Sequence, residues 1–404
     1  MTRNKILFAS FFVFLLGFSN CAKDGVNIDI YTAEDYKLVS NHLNLPNEPT
    51  DYTIHFPNYT NTSFFFSGST RSFNDNLATL GRVLFYDENL SEDRSISCAS
   101  CHKQELAFSD DVAFSKGILD RDTDRNSLAL GSVFNFNVYY GNETNGGNGI
   151  PFFWDNRAST VQEQSKQTFA NEKEMGMEIH EVVERVNEQE YYGPLFKAAF
   201  GESNQVTNDQ VLDAVSEFIN AMGSTNSTYD QALDKYYEEF GDVDDYSLIN
   251  NSLPGFTAQQ NLGKTLFVQN CASCHNATNS RPLKMKANNG LELEYVDAGI
   301  GDLPNASSSD YGMFKVPTLR NIALTGPYMH DGSLASLEDV IEHYSTGIKN
   351  HPNLSRELRE GESSWGEPMK FNFSSEDKAA LVAFLNTFTD ETFLQDQRYA
   401  NPFK

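Results

Sequence analysis

The chain has 404 residues, 56 of them acidic and 30 basic, for a formal net charge of −26. Hydrophobic residues make up 39% and aromatics 13%, enough apolar material for packed cores, so wholesale disorder is excluded; the length suggests two domains. The acidic balance argues against nucleic acid, whose phosphates need clustered Lys and Arg, and suits a basic protein partner steered by charge.

In chain order, Arg3 and Lys5 precede one apolar run, Ile6 to Phe18. It is too short to span a bilayer and reads as a secretory signal, ending at residue 21. Cys21 follows directly, at the place of the lipid-modified cysteine of bacterial lipoproteins. An exported, periplasmic protein anchored by lipid at Cys21 is therefore expected; an ordinary signal with a spare cysteine is the alternative. Residues 22–72 are polar and lack a sustained period, so they read as a linker with some local packing, whose stretch ending in Phe64-Phe65-Phe66 is placed to lay an arm across the body. Two units are expected to follow, 73–245 and 246–404, with 236–255 as the link.

An internal repeat supports that division. Leu80-Gly81-Arg82-Val83-Leu84-Phe85 precedes Cys98-Ala99-Ser100-Cys101-His102, and Leu262-Gly263-Lys264-Thr265-Leu266-Phe267 precedes Cys271-Ala272-Ser273-Cys274-His275. Two copies of one pattern mean two related units. The rest reads as helical. Thr207 and Gln210 form a capping box ahead of Val211, Leu212, Val215, Phe218, Ile219 and Met222. Thr257 with Gln260, and Ser374 with Asp377, open two further helices, the last carrying Leu381, Phe384, Leu385 and Phe388. Strand-like alternation is scarce, and Gly141–Gly149 and Asn288–Gly290 read as loops.

Each Cys-x-x-Cys-His is the attachment signal of c-type haem. Two thiols three positions apart reach the two vinyl groups of one porphyrin, and the adjacent His falls beneath the iron. A chance match is expected in only about one such chain in 10³, and two are present. Cys98, Cys101, Cys271 and Cys274 are thus expected to form thioethers, with His102 and His275 on iron. A thioredoxin-like motif would not need the His, and a zinc site built from both pairs is the remaining alternative. What fills the opposite face of each iron separates electron transfer from catalysis. No His or Met follows His102 until Met175, so the first iron is expected to be open, with a distant ligand, or a Lys or Tyr, as the alternative. The second has eight candidates: Met285, Met313, Met329, His330, His343, Tyr344, His351 and Met369.

Beyond both haem motifs, the chain carries Leu84-Phe85-Tyr86-Asp87, Arg125-Asn126-Ser127, Phe153-Trp154-Asp155-Asn156-Arg157-Ala158 and Glu174-Met175-Gly176-Met177. Phe314-Lys315-Val316-Pro317-Thr318-Leu319-Arg320-Asn321 and Pro327-Tyr328-Met329-His330-Asp331-Gly332 follow. Over about residues 75–395 this resembles the bacterial di-haem cytochrome c peroxidase family, in its MauG-like subgroup. The resemblance implies a mainly α fold of two cytochrome c-like domains, a peroxidatic first haem, an electron-relaying second haem, and a calcium ion between them.

It also implies roles residue by residue. Trp154 matches the tryptophan between the haems, where an indole shortens the tunnelling gap; outside its motif it would read as a core aromatic. Glu174 matches the distal glutamate, which takes a proton from hydrogen peroxide and returns it to the leaving oxygen; otherwise it would be a solvated surface acid. Gln164 matches a distal polar residue. Asn126, with the backbone carbonyls of Thr325 and Pro327, matches the calcium ligands. Arg320 is expected to pair its planar fork with a haem propionate. Two departures stand out. The histidine that blocks the peroxidatic iron in many members is absent after His102, which implies activity without reductive activation. Tyr344 stands where the second haem's classical methionine ligand falls, with His343 or a Met as alternatives. The expected reaction is reduction of hydrogen peroxide to water by electrons from a small cytochrome c or cupredoxin; many members are homodimers. Peroxide-dependent oxidation of a partner protein, and a non-enzymatic electron-transfer cytochrome, are the competing readings.

Overall fold

The computed structural model describes residues 29–62, 69–136, 150–202, 205–278 and 282–404. The expected signal, Cys21, the Phe64-Phe65-Phe66 run and the Gly141–Gly149 loop lie outside the described residues.

The described chain is mainly helical. An N-terminal group comprises α1 (Ala33–His42), α2 (Asp75–Tyr86), α3 (Cys98–Cys101), α4 (Val161–Ala170), α5 (Ile179–Asn187), α6 (Tyr192–Phe200) and α7 (Asn208–Ala221). It is followed by α8 (Thr228–Phe240), α9 (Asp245–Asn250), α10 (Ala258–Asn270), α11 (Ala272–His275), α12 (Leu337–Glu342), α13 (Ser375–Leu385) and α14 (Glu391–Leu394). Two short antiparallel pairs complete it. β1 (Ile54–His55) joins β2 (Thr70–Arg71), with Ile54 opposite Arg71; β3 (Lys286–Ala287) joins β4 (Phe314–Lys315), with Lys286 opposite Lys315.

The helix starts follow their caps. Thr207 accepts from the Gln210 N–H, and the Gln210 side chain returns to the Thr207 N–H. Val211, Leu212, Val215, Phe218, Ile219 and Met222 all fall on the buried face. The same box opens α10 at Thr257 and α13 at Ser374. α13 stops at Leu385, and Phe388 is buried from the 3₁₀ turn that continues it.

The sequence repeat is a repeat of packing. In α2, Gly81 lies against α7 so closely that a Cβ there would sit on the Ala214 carbonyl and crowd the Phe218 Cβ. In α10, Gly263 stands in the same relation to the Ala380 carbonyl and Phe384 of α13. Each glycine lets two helix backbones cross without a side chain between them. Each crossing is closed by buried aromatics, Phe85 with Phe218 and Phe267 with Phe384.

Two apolar cores result. α8 packs in the second core through Tyr229, Leu233 and Tyr236. The expected link, 236–255, buries Val243, Leu248 and Leu253 in that core. The chain end returns to the first core with Phe393 and Tyr399. The stretch read as a linker is packed: Tyr31, Val39, Leu43, Leu45 and Tyr52 enter the first core and Tyr59 the second. Its many Asn, Thr and Ser residues mask a few well-spaced apolar anchors.

Candidate active site

A single cavity of about 980 Å³ runs between the two cores. Its wall contains Cys98, Cys101 and His102 from one side and Cys271, Cys274 and His275 from the other. α3 is one helical turn, capped by Ser97 and Ser100, which sets its two thiols on one face; α11 repeats the turn. All four cysteines are free. Burial pushes the Cys98 and Cys271 thiols up to about 12, and raises Cys101 to about 11. They are neutral nucleophiles-in-waiting rather than low-pKa redox thiols. Among the described residues, no three His, Cys, Asp or Glu converge as a metal-binding group, so the two pairs do not merge into a tetrathiolate zinc site.

Both histidines are prepared as ligands. His102 Nδ1 donates to the Phe108 carbonyl at 2.8 Å, and His275 Nδ1 to the Pro317 carbonyl at 3.2 Å. With Nδ1 carrying the proton, Nε2 presents its lone pair. Burial lowers both rings, His275 to about 4, which keeps them neutral. Paired thiols, oriented imidazoles and one largely apolar cavity fit two covalently attached haems.

The other expected residues converge on the same space: Trp154, Gln164, Glu174, Arg320, Tyr344, Asn126, Thr325 and Pro327 all line it. Burial raises the Glu174 carboxyl, outweighing hydrogen bonds from Thr168 and Asn171; Asn171 Nδ2 donates to its Oε1 at 2.8 Å. Gln164 Nε2 donates to Thr168 Oγ1 at 3.1 Å. Trp154 is tied to both halves: its Nε1 donates to the Asn126 carbonyl at 2.9 Å and its own carbonyl accepts from the Lys315 N–H at 2.7 Å. Asn126 turns its Nδ2 to the Val112 carbonyl, leaving Oδ1 as its acceptor face.

Of the eight candidates for the second iron, Met329, His330 and Tyr344 line the cavity. His343 instead bonds the Asn289 carbonyl through Nε2, and His351 pairs with Asn288. Met329 Sδ accepts from Asn289, and the His330 ring stacks on Phe314 at 3.8 Å. Tyr344 sits in a π-helical turn, His343–Gly347, a local widening that often marks functional positions. Burial pushes its phenol up.

Arg320 carries a protein partner that its motif did not name. Its fork is taken by the buried Asp230, with Nη1 and Nη2 at 2.5 and 2.7 Å from the two carboxylate oxygens. Asp230 is a protein carboxylate already in place; the buried Arg320 Nε has no hydrogen-bond partner.

Three features escaped sequence reasoning. Asp230 is visible there only as the third residue of the Ser227 cap. Arg125 clasps the domains, bonding Asp297 through Nε and Nη2 at 2.7 Å each and Asp155 through Nη1 at 2.6 Å. Lys315 is buried over the Phe136 ring, donates to the Pro151 carbonyl, and is lowered to about 7 by burial. The motifs contained Arg125 and Lys315, but nothing in their spacing named these partners.

Two helical domains that turn Cys-x-x-Cys-His toward one shared cavity define a two-domain c-type cytochrome. The family models agree: di-haem cytochrome c peroxidase matches residues 75–238 and cytochrome c matches 260–389. The methylamine utilization protein MauG of Methylorubrum extorquens is 30% identical, over 77% of this chain and 78% of that one. Cytochrome c551 peroxidase of Nitrosomonas europaea is 30% identical, over 79% and 81%. A crystal structure of a MauG-like protein associated with microbial copper homeostasis superposes with a TM-score of 0.63 at 29% identity, covering 82% of this chain and 94% of that one. The chain belongs to the di-haem cytochrome c peroxidase and MauG family.

Proposed function

We propose that the protein is an exported peroxidase that reduces hydrogen peroxide to water with electrons from a small cytochrome c or cupredoxin. The observation that carries this reading is the one cavity shared by both Cys-x-x-Cys-His turns, with the desolvated Glu174 carboxylate in its wall. Cys98, Cys101 and His102 would hold one haem, and Cys271, Cys274 and His275 the other, with Tyr344 as the second haem's further ligand. When bound, the haems supply the redox chemistry, a peroxide-binding iron at His102 and an electron-relaying iron at His275.

The chain's own residues supply the rest. Glu174, its carboxyl raised by burial, takes a proton from one peroxide oxygen and returns it to the other. Asn171 holds that carboxylate in place. Gln164, steadied by Thr168, hydrogen-bonds the substrate. Trp154, pinned between Asn126 and Lys315, carries charge between the two sites. A calcium ion at Asn126 Oδ1 and the Thr325 and Pro327 carbonyls, all hard oxygen donors, would brace the floor beneath Trp154. The apolar run before Cys21 supports export and a lipid anchor; no described helix is long and apolar enough to cross a membrane.

The test is peroxide-dependent oxidation of a reduced small cytochrome, with turnover collapsing in Glu174→Gln. Unchanged turnover in that variant overturns the role of Glu174. Tyr344 in the cavity wall favours a second reading, peroxide-dependent oxidation of a partner protein, because an anionic phenolate stabilises the higher oxidation states of iron. A partner protein covalently changed by peroxide only when this enzyme is present would select it.

A further inference from the structure

The family match begins at residue 75, yet the segment before it reaches the second haem site. Tyr52 is buried in the first core, its N–H donating to Asp75 Oδ1 at 3.0 Å. The arm then crosses the turn that joins the two cores. Ile54 packs so tightly on Gly223 that a Cβ there would strike it, and Thr225 Oγ1 donates to the His55 carbonyl at 3.0 Å. On the far side, the Tyr59 N–H donates to Asp234 Oδ1 at 3.1 Å and the Tyr59 hydroxyl to Asp230 Oδ1 at 2.6 Å, both on α8.

Asp230 is the hub. Its Oδ1 also accepts from Arg320 Nη2, and its Oδ2 accepts from Arg320 Nη1 and from the Ser227 N–H and hydroxyl. Arg320 is buried in the cavity wall with its Nε unpartnered. The Tyr59 ring, Arg320 and His275 also border one small pocket of their own. Burial opposes ionising Asp230, but Arg320 outweighs it; the same burial keeps Tyr59 a neutral phenol, and so a donor.

We propose that the N-terminal arm is a positioning device for the second haem, in which the Tyr59 hydroxyl, acting through Asp230, sets how much of the Arg320 charge faces the group attached at Cys271 and Cys274. This rests on the reading that a haem is bound there. A hydrogen bond from Tyr59 draws charge from Oδ1 and loosens the grip of Asp230 on Arg320. In a buried network of low polarisability such a change is weakly screened. Without the hydroxyl, Asp230 cancels more of the guanidinium, the ferric state is favoured, and the second haem becomes harder to reduce.

The experiment uses the full chain with haem content checked by pyridine haemochrome, and follows both haems through a spectroelectrochemical titration. Tyr59→Phe should lower the reduction equilibrium constant of the second haem by about threefold, about 28 mV at 59 mV per tenfold for one electron, and leave the first unmoved. Tyr52→Phe is the matched control: it deletes a hydroxyl from the same arm, but beside Thr79 and Arg82 in the first core, and should move neither potential. If Tyr59→Phe does not accumulate folded, Asp234→Ala releases the arm from α8 and should shift the second haem in the same direction. Two attached haems with unchanged potentials in these variants, or an equal shift in Tyr52→Phe, would overturn the proposal. A missing second haem in the parent chain would instead overturn the reading beneath it.

Discussion

Burial sets the protonation of the Glu174 carboxyl. An exposed glutamate ionises near about 4.3; here the desolvated carboxyl holds its proton to higher pH. A base must be deprotonated to act, so kcat/KM should fall on the acid side at a pH above that ordinary value. Glu174→Gln should reduce kcat by about 10²–10⁴-fold and abolish that limb, which a pH–rate profile on both proteins checks. Tyr344 makes a second prediction at this scale. Tyr344→Phe removes the phenolic oxygen but keeps the ring, so the resting ferric electron paramagnetic resonance signal of the second haem should change while that of the first persists. The identity of both residues was legible from their motifs. Their desolvation was not, because it comes from burial in a cavity wall built by distant parts of the chain.

The two glycine crossings show how a local pattern becomes an element-level constraint. The Leu-Gly-x-x-Leu-Phe repeat was plain, and so were the capping boxes that start α7, α10 and α13, because both are written within a few residues. Which helix each glycine meets was not written there. Gly81→Ala and Gly263→Ala should each destabilise the protein by about 1–3 kcal/mol, the usual cost of overpacking, read from urea unfolding of the haem-loaded chain. Alanine at Gly241, where an added Cβ meets nothing within 4 Å but φ is +76°, tests backbone strain alone and should cost about 1 kcal/mol. How firmly the arm before α2 packs was not legible for a related reason: Val39, Tyr52 and Tyr59 are buried one at a time, too sparsely to make a period.

For the whole molecule, the salt bridges of Arg125 hold the cores on either side of Trp154. Burial alone would raise Asp297, but the Arg125 bonds prevail and its pKa is lowered. A carboxylate depressed on folding contributes stability above its unfolded pKa, about 3.9 for Asp, and loses it as pH falls through the folded value. Thermal unfolding between pH 6 and pH 3 should therefore show the parent chain losing more of its Tm than Asp297→Asn, which has no such contribution to lose. The variant should be the less stable of the two at pH 6.

By itself the amino-acid order determined what a single turn of chain can encode: two thiols and a histidine at haem-attachment spacing, the capped helix starts, and the repeat that makes two like domains. These survive any tertiary arrangement because their partners are neighbours. Only the folded molecule decided that Asp230 pairs with Arg320 across 90 positions, that Arg125 reaches Asp297 across 172, and that Tyr59 reaches Asp230 across 171. Desolvation and long-range pairing depend on which distant surfaces are pressed together, and no local spacing carries that information.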